Sequence, residues 1–369
     1  MVAGPSPPAK TGTVPADGMT QLDPHRETIG GWLDEAGIPG GALALVDRSG
    51  HRQVACFGHA SLTPERPVEA RTRFHLFSGT KLYTAATLLR LVEEEALSLE
   101  DDVRAHLPER PLRHPVTLRQ LASHQAGIPD TVRALAAVHE AGLDGPSAEQ
   151  ALDRFRLDHG GEPGTVRYTN VAYALLGAVI VRVTGQPFEE AVRQRILAPL
   201  GAEIDFTPDE GDAAGHLSRW DPMRVAFRVL FPRASGWLFG PRTGNLVALR
   251  PFGLDTAAIG GLIGPAEGFL PFLAEMLSGE DGVLTAASKR AMLTVQAEGA
   301  AGVASRGGVG LGWKWGPSFW NHEGGGPGFC SETRLYPGEG FGLVILLNRS
   351  QTKRTSLLCH RIAELLRRG

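Results

Sequence analysis

Residues 74–97 read FHLFSGTKLYTAATLLRLVEEEAL. Apolar side chains at Leu82, Ala85, Ala86, Leu88, Leu89 and Val92 recur at helical spacing, which predicts a buried helix that leaves the core at Glu93, Glu94 and Glu95. At the start of that helix Ser78 and Lys81 stand three residues apart, so their side chains share one face. The positive helix end favours an oxyanion forming beside the serine. A lysine set among Phe77, Leu82 and Leu88 is partly desolvated, which favours the neutral amine and lets it accept the serine proton. The plainer alternative is a capping serine with Lys81 in solvent, because S-x-x-K recurs by chance in chains of this length.

Working outward, Asp23-Pro24 opens a predicted helix through Ile29, Trp32 and Leu33. The runs 41–47 (GALALVD) and 52–58 (RQVACFG) predict two strands joined by a turn at Arg48-Ser49-Gly50. From about Leu99 to Pro199, proline-marked loops alternate with helical patterns at 117–123, 147–156, 171–184 and 187–197. The stretch 207–251 has weak periodicity and several aromatics, among them Trp220, Phe227 and Trp237. Helices are expected over 266–277 and 288–293, followed by strands over 312–315, 319–323, 329–336 and 342–348 and a closing amphipathic helix over 354–368. Strands at both ends with helices between them predict one sheet whose halves meet across a helical insertion. The expected fold class is α/β plus α, an antiparallel sheet flanked by helices with an inserted mostly helical domain. Its expected divisions are a disordered leader over 1–22, an α/β domain formed by 23–85 and 250–369, and a mostly helical domain over 86–249 with a lid or pocket segment at 207–250.

Composition narrows the function. The 369 residues are 42% hydrophobic and 21% charged, as in soluble globular proteins. A formal charge of −3 gives no basic excess for a nucleic-acid partner. Cys56, Cys330 and Cys359 lie far apart, without the spacing of a disulfide framework or a metal site. None of the twelve histidines forms H-x-x-x-H or H-E-x-x-H, so no metal or other cofactor is implied. The apolar run 172–183 is too short to span a bilayer, and no membrane partner is expected. The leader has no apolar core of the signal-peptide kind, which gives a cytoplasmic expectation. No oligomeric state is encoded in any of these features.

Two further elements bear on Ser78 and Lys81. Tyr168-Thr169-Asn170 follows a Gly-Glu-Pro-Gly turn and precedes an apolar helix. A loop of that kind can aim a phenol and an amide into a cleft, and a nearby cation would stabilise the phenolate as a base. Alternatively, Asn170 caps the helix and Tyr168 packs. The other element is 322–329, HEGGGPGF, where glycines after a strand allow a substrate close to the backbone. A peptide N–H there can complete an oxyanion hole with that of Ser78. Read alone, the segment is more simply a plain glycine-rich loop.

In this order, roughly 90 and 150 residues apart, the three elements resemble those of the serine β-lactamase and penicillin-binding-protein superfamily, closest to its class C β-lactamase, DD-peptidase and family VIII esterase branch. Longer segments carry the same likeness: VTLRQLASHQAGIPD (116–130), YTNVAYALLGAVIVRVTG (168–185), ILAPLG (196–201), AAIGGL (257–262) and 324–348. The resemblance extends over 23–368 and is weakest across 207–251. It implies a β-lactamase/transpeptidase-like fold with Ser78 as the acylated nucleophile and Lys81 as its proton acceptor. Tyr168 becomes the general base and acid that passes the proton to the leaving group. Asn170 then positions the substrate's carbonyl or amide, and Gly325 supplies the second oxyanion N–H. His322, Glu323 and Gly324 line the substrate, and the reaction passes through an acyl-enzyme without a metal.

One departure bears on the substrate. The family's third motif is usually K-T-G, with H-x-G in some peptidases; here His322 and Gly324 flank Glu323. An acceptor-only carboxylate in place of a hydroxyl is expected to repel an acidic substrate group. The expected partner is therefore a small neutral ester or amide, handled by a serine hydrolase of esterase or amidase type. The alternatives are a DD-peptidase or β-lactamase, an acyltransferase or cyclase of secondary metabolism, and a ligand-binding protein on the same fold. His124 reads as part of a structural turn, and Cys330 as a small buried apolar side chain.

Overall fold

In the computed structural model, which describes residues 21–130, 138–299, 307–316, 318–350 and 352–368, the apolar run Gly40–Asp47 (β1) forms the seam between the two chain ends. On one side it pairs antiparallel with Arg52–Leu62 (β2), which continues into Glu65–Pro67 (β3). The C-terminal part adds Ala297–Glu298 (β4), Gly308–Val309 (β5), Lys314–Gly316 (β6), Phe319–Gly326 (β7), Phe329–Tyr336 (β8) and Phe341–Leu347 (β9). All nine strands form one sheet in the order β4-β5-β6-β7-β8-β9-β1-β2-β3. The junction of halves expected from sequence is the β1–β9 pair, with Leu43 opposite Ile345 and Ala44 opposite Val344.

Both faces of this seam are covered. Ala42, Ala44, Val344 and Leu346 enter the main core, whereas Leu43, Leu45, Leu343 and Ile345 enter a second cluster. The second cluster is closed by Arg26–Ala36 (α1), through Ile29 and Leu33, and by the terminal helix Lys353–Arg368. Side chains alternate along a strand, so a strand buried on both sides reads as an unbroken apolar run even in an antiparallel sheet.

The main core is built on Thr80–Glu93 (α2) and Asn170–Thr184 (α3), both buried along most of their length. Gly177 of α3 matters here: a side chain at that position would meet Ala258 Cβ at 2.6 Å. Its absence lets a short turn of helix, Ala257–Gly260, lie against α3, which brings the Ile259 carbonyl to Lys81. The weakly periodic stretch 207–250 folds as a three-stranded sheet (His216–Ser218, Leu246–Leu249, Phe239–Thr243) with two short helices, Pro222–Leu230 (α4) and Pro232–Leu238 (α5). Elements of three to nine residues are too short to print a period. The His216 N–H ties this unit to the main sheet by bonding to the carbonyls of Gly328 and Asn348, both at 3.1 Å. The expected leader lies outside the described residues up to residue 20. Leu22 is buried and donates its N–H to Gln53, so the packed chain begins before the Asp23 read from sequence.

Candidate active site

Ser78 lies in a single 3-10 turn, Phe77–Gly79, that runs directly into α2. Phe77 has φ 48°, a left-handed backbone. A bulky residue holds that conformation at a cost of roughly 1–3 kcal/mol and only when its surroundings over-determine it. They do so here: the Phe77 ring packs against His75, Phe252 and Phe329 with centroids 5.2–6.4 Å apart. Behind it, Leu76 N–H bonds to the Leu262 carbonyl at 2.9 Å. The strand β7 presses on the same turn. A Cβ at Gly324 would stand 2.1 Å from the Leu76 carbonyl oxygen, so only glycine admits this approach. Gly325 therefore lies in the stretch of β7 that borders the nucleophile.

His75, within this aromatic cluster, has its pKa pushed down to about 3 by burial, with Arg73 adding repulsion. His216 is pushed down to about 4 for the same reason. A neutral histidine in the fold that protonates near 6.5 when unfolded costs nothing above pH 6.5 and destabilises as pH falls below it. Asp212 acts in the opposite sense, since burial raises it to about 6 and protonation stabilises the fold between pH 6 and 3.8. Two histidines outweigh one aspartate. Urea unfolding is expected to show a decline that steepens below pH 6.5 towards pH 4, by up to about 1.4 kcal/mol per pH unit for each histidine, on top of the loss that the neutral Lys81 brings as pH falls below the ordinary lysine range. His75→Phe, which keeps the ring stack, is expected to flatten that decline; a variant with the wild-type slope would contradict the assignment.

Lys81 is fully buried. Its Nζ reaches three oxygens: Ile259 O at 2.7 Å, Asn170 Oδ1 at 2.8 Å and Ser78 Oγ at 3.1 Å. Tyr168 directs its hydroxyl to the same Ser78 Oγ at 2.9 Å. Burial holds the Lys81 pKa well below the ordinary lysine range; the Lys314 charge adds to this and Asp130 opposes it. A neutral amine has two hydrogens and one lone pair. The two hydrogens satisfy Ile259 and Asn170, and the lone pair faces the Ser78 hydroxyl. Ser78 then donates to Lys81 while accepting from Tyr168, and every polar atom in the chain Tyr168–Ser78–Lys81 has a partner of the right kind.

The Tyr168 phenolate expected from sequence is not the resting form. Burial, chiefly, pushes the phenol above its usual pKa, and the Asp130 and Glu323 charges push the same way against the Ser78 hydrogen bond. Tyr168 rests protonated, as a donor, although Lys81 Nζ and Lys314 Nζ lie 5.2 and 5.0 Å from its ring centre. Lys81, resting as the free amine, is the member of the pair available to accept a proton.

Asn170 opens α3, and its amide is engaged at both ends. Oδ1 accepts from Lys81, while Nδ2–H and the backbone N–H donate to Asp130 at 2.9 and 3.0 Å. One Nδ2 hydrogen remains for a substrate carbonyl, so the residue orients Lys81 as well as serving the expected binding role. Asp130 received no role from sequence spacing. It closes the VTLRQLASHQAGIPD segment, beyond a turn in which His124 takes φ 57° and accepts the Thr169 N–H at 3.3 Å.

The third motif departs from expectation in two ways. His322 is fully buried behind Tyr168, with ring centres 6.2 Å apart, and its Nδ1 meets the Gly312 carbonyl at 2.5 Å. Burial, with the Lys314 charge beside it, keeps it neutral, and its ring backs Tyr168 edge-on. Glu323 is also buried, with Lys314 Nζ 3.4 Å from its carboxylate. A carboxylate compensated in this way does not present the bare negative charge on which repulsion of acids was argued. Lys314 itself was missed. The available signal was a charge inside the aromatic strand segment GWKWG, 312–316, where a lysine is rarely buried unless paired.

With this geometry in hand, comparison places the chain. The family model described as Beta-lactamase matches residues 25–366. A putative penicillin-binding protein, PbpX of Bacillus subtilis (strain 168), is 27% identical over 178 residues, 48% of this chain and 43% of that protein. The chain thus spans less than half the length of the curated relatives it matches. Among solved structures, the octameric penicillin-binding protein homologue from Pyrococcus abyssi superposes with a TM-score of 0.77 at 23% identity, covering 94% of this chain and 77% of that one. The D-amino acid amidase from Ochrobactrum anthropi SV3, complexed with D-phenylalanine, gives 0.70 at 23% identity, covering 88% and 91%.

Proposed function

Because this chain belongs to the beta-lactamase family, a superfamily of serine hydrolases, we propose that it cleaves a small neutral amide or ester through an acyl-enzyme on Ser78. The observation that carries this reading is the pair of contacts on one oxygen, Lys81 Nζ at 3.1 Å and Tyr168 Oη at 2.9 Å from Ser78 Oγ. As Oγ bonds to the substrate carbonyl carbon, its proton passes to the Lys81 lone pair. The carbonyl oxygen takes the negative charge, facing the N–H groups of Ser78 and Gly325. Tyr168 gives its proton to the departing amine or alkoxide as that bond breaks, and Lys81 reprotonates the phenol. Water then repeats the sequence on the acyl-enzyme and releases the acid.

Neutrality of the substrate is supported by the charges around the cleft. Lys81 rests as an amine, and Lys314 and Glu323 offset one another. No unopposed charge among these groups calls for an ionic substrate. A protonated Tyr168 suits an amine leaving group, and the amidase named among the structural neighbours points the same way.

A fluorophosphonate probe tests the nucleophile. Wild-type protein is expected to gain one adduct by intact mass and Ser78→Ala none; equal labelling of both removes Ser78 from the chemistry and favours the ligand-binding alternative. A panel of a neutral p-nitrophenyl ester, an amino acid amide and a penicillin then tests the substrate class. Faster turnover of the penicillin than of both neutral compounds would overturn the preference.

A further inference from the structure

Away from the cleft, α4 and the residues just before it leave large apolar side chains in water. Trp220 is 76% exposed, Val225 63% and Val229 71%. Val225 and Val229 are one turn apart and share a face, while Phe227 on the opposite side is fully buried and docks the helix. Single exposed apolar residues are ordinary, but a contiguous group beside one another marks an interaction surface.

Charge tells what kind. Residues 219–233 hold four arginines and one aspartate in a chain whose net charge is −3. Among the described residues, Arg219, Arg224, Arg228 and Arg233 form no ion pair. They repel one another: Arg224 is held below the ordinary arginine pKa by burial and by the charges of Arg228 and Arg219. The Arg219 guanidinium lies 4.5 Å from the centre of the Trp220 ring, a cation beside an aromatic at the edge of the aliphatic strip.

We infer that α4 and Trp220 form a docking surface for an anionic lipid bilayer. A helix with a protruding aliphatic face, flanking arginines and a neighbouring tryptophan matches the requirements of the membrane interface, where the apolar face enters the acyl boundary and the cations meet headgroups. A second copy of the chain fits poorly, because a two-fold contact would bring a segment of net charge +3 against its equal. An acidic protein partner would match the charge, but two valines and one tryptophan give it little apolar area to bury against what a stable protein interface needs. A nine-residue helix gives shallow, reversible, salt-sensitive attachment. The surface is carried by the unit tied to Gly328 at the β7–β8 turn, the same turn whose Phe329 packs on Phe77. Docking on lipid departs from the expectation of no membrane partner, which concerned spanning; among the described residues no single helix is long and apolar enough to cross a bilayer.

Flotation of the full chain with vesicles tests the inference independently of the hydrolase reading. Binding is expected to phosphatidylcholine vesicles containing about one-third phosphatidylglycerol, not to phosphatidylcholine alone, and to fade as salt rises from about 0.05 to about 0.5 M. Neutralising Arg228→Gln with Arg233→Gln is expected to weaken partitioning about 25-fold, at about fivefold per arginine. Val225→Ser with Val229→Ser is expected to abolish flotation with the arginines intact. Circular dichroism of each variant controls for folding. Absence of flotation, equal binding to both vesicle types, or full binding by the serine variant would overturn the inference. So would poly-glutamate binding that exceeds vesicle binding, or self-association through the same residues in sedimentation velocity.

Discussion

Lys81→Met is expected to slow acylation of Ser78 by about 10²–10⁴-fold, the range for loss of a positioned general base, while the protein stays folded with a lowered thermal midpoint. Lys81 is a fully buried amine held by three oxygens. Methionine fills its volume but leaves the Ile259 carbonyl and Asn170 Oδ1 without a donor, at about 1–3 kcal/mol for each buried group, and the serine proton is left without an acceptor. The pH profile of kcat/KM carries the same assignment. Its acid limb follows deprotonation of Lys81 and lies below the ordinary lysine range, since burial lowers that pKa. Lys314 lowers it further, so Lys314→Met is expected to move the limb to higher pH. Asp130 raises it, so Asp130→Asn is expected to move the limb lower. Stopped-flow acylation with a p-nitrophenyl ester measures all three. A Lys81→Met enzyme within tenfold of wild type, or limbs that shift the opposite way, would show that another group takes the proton.

Tyr168→Phe is expected to discriminate between leaving groups. The phenol rests protonated and touches Ser78 Oγ at 2.9 Å, which fits delivery of a proton as the leaving group departs. An amine cannot leave without that proton, so amide hydrolysis is expected to fall by about 10²–10⁴-fold. A p-nitrophenolate leaves unaided, and acylation by that ester is expected to fall by less than about tenfold. Equal losses on both substrates would show that Tyr168 acts on the nucleophile's proton and not on the leaving group. Burst kinetics with the ester separate acylation from the later release of the acyl group, where water must also give up a proton.

The elements with a clear period were legible. The buried helix after Ser78, the paired runs around Arg48-Ser49-Gly50 and the closing helix all appear where the spacing puts them. The small sheet at 216–249 was not, because strands of three to five residues leave no alternation to read. At the site, Ser78 and Lys81 were visible because one helical turn joins them, and Tyr168-Thr169-Asn170 because a turn and an apolar helix frame it. The Ile259 carbonyl was invisible for a different reason: a backbone oxygen has no residue type, and its place depends on Gly177 allowing a close crossing. Asp130 and Lys314 are ordinary charged residues whose roles come from what lies across the cleft.

What the sequence alone determined about this protein is therefore its list of candidate reacting groups and the strands and helices that carry them, since both follow from local spacing. Tertiary structure decided their protonation states and partners. Lys81 becomes a base, Tyr168 a donor, His322 a buried neutral support and Glu323 a compensated charge through burial and through neighbours distant in the chain. Desolvation and Coulomb interaction act through space, and no periodicity along the sequence records them.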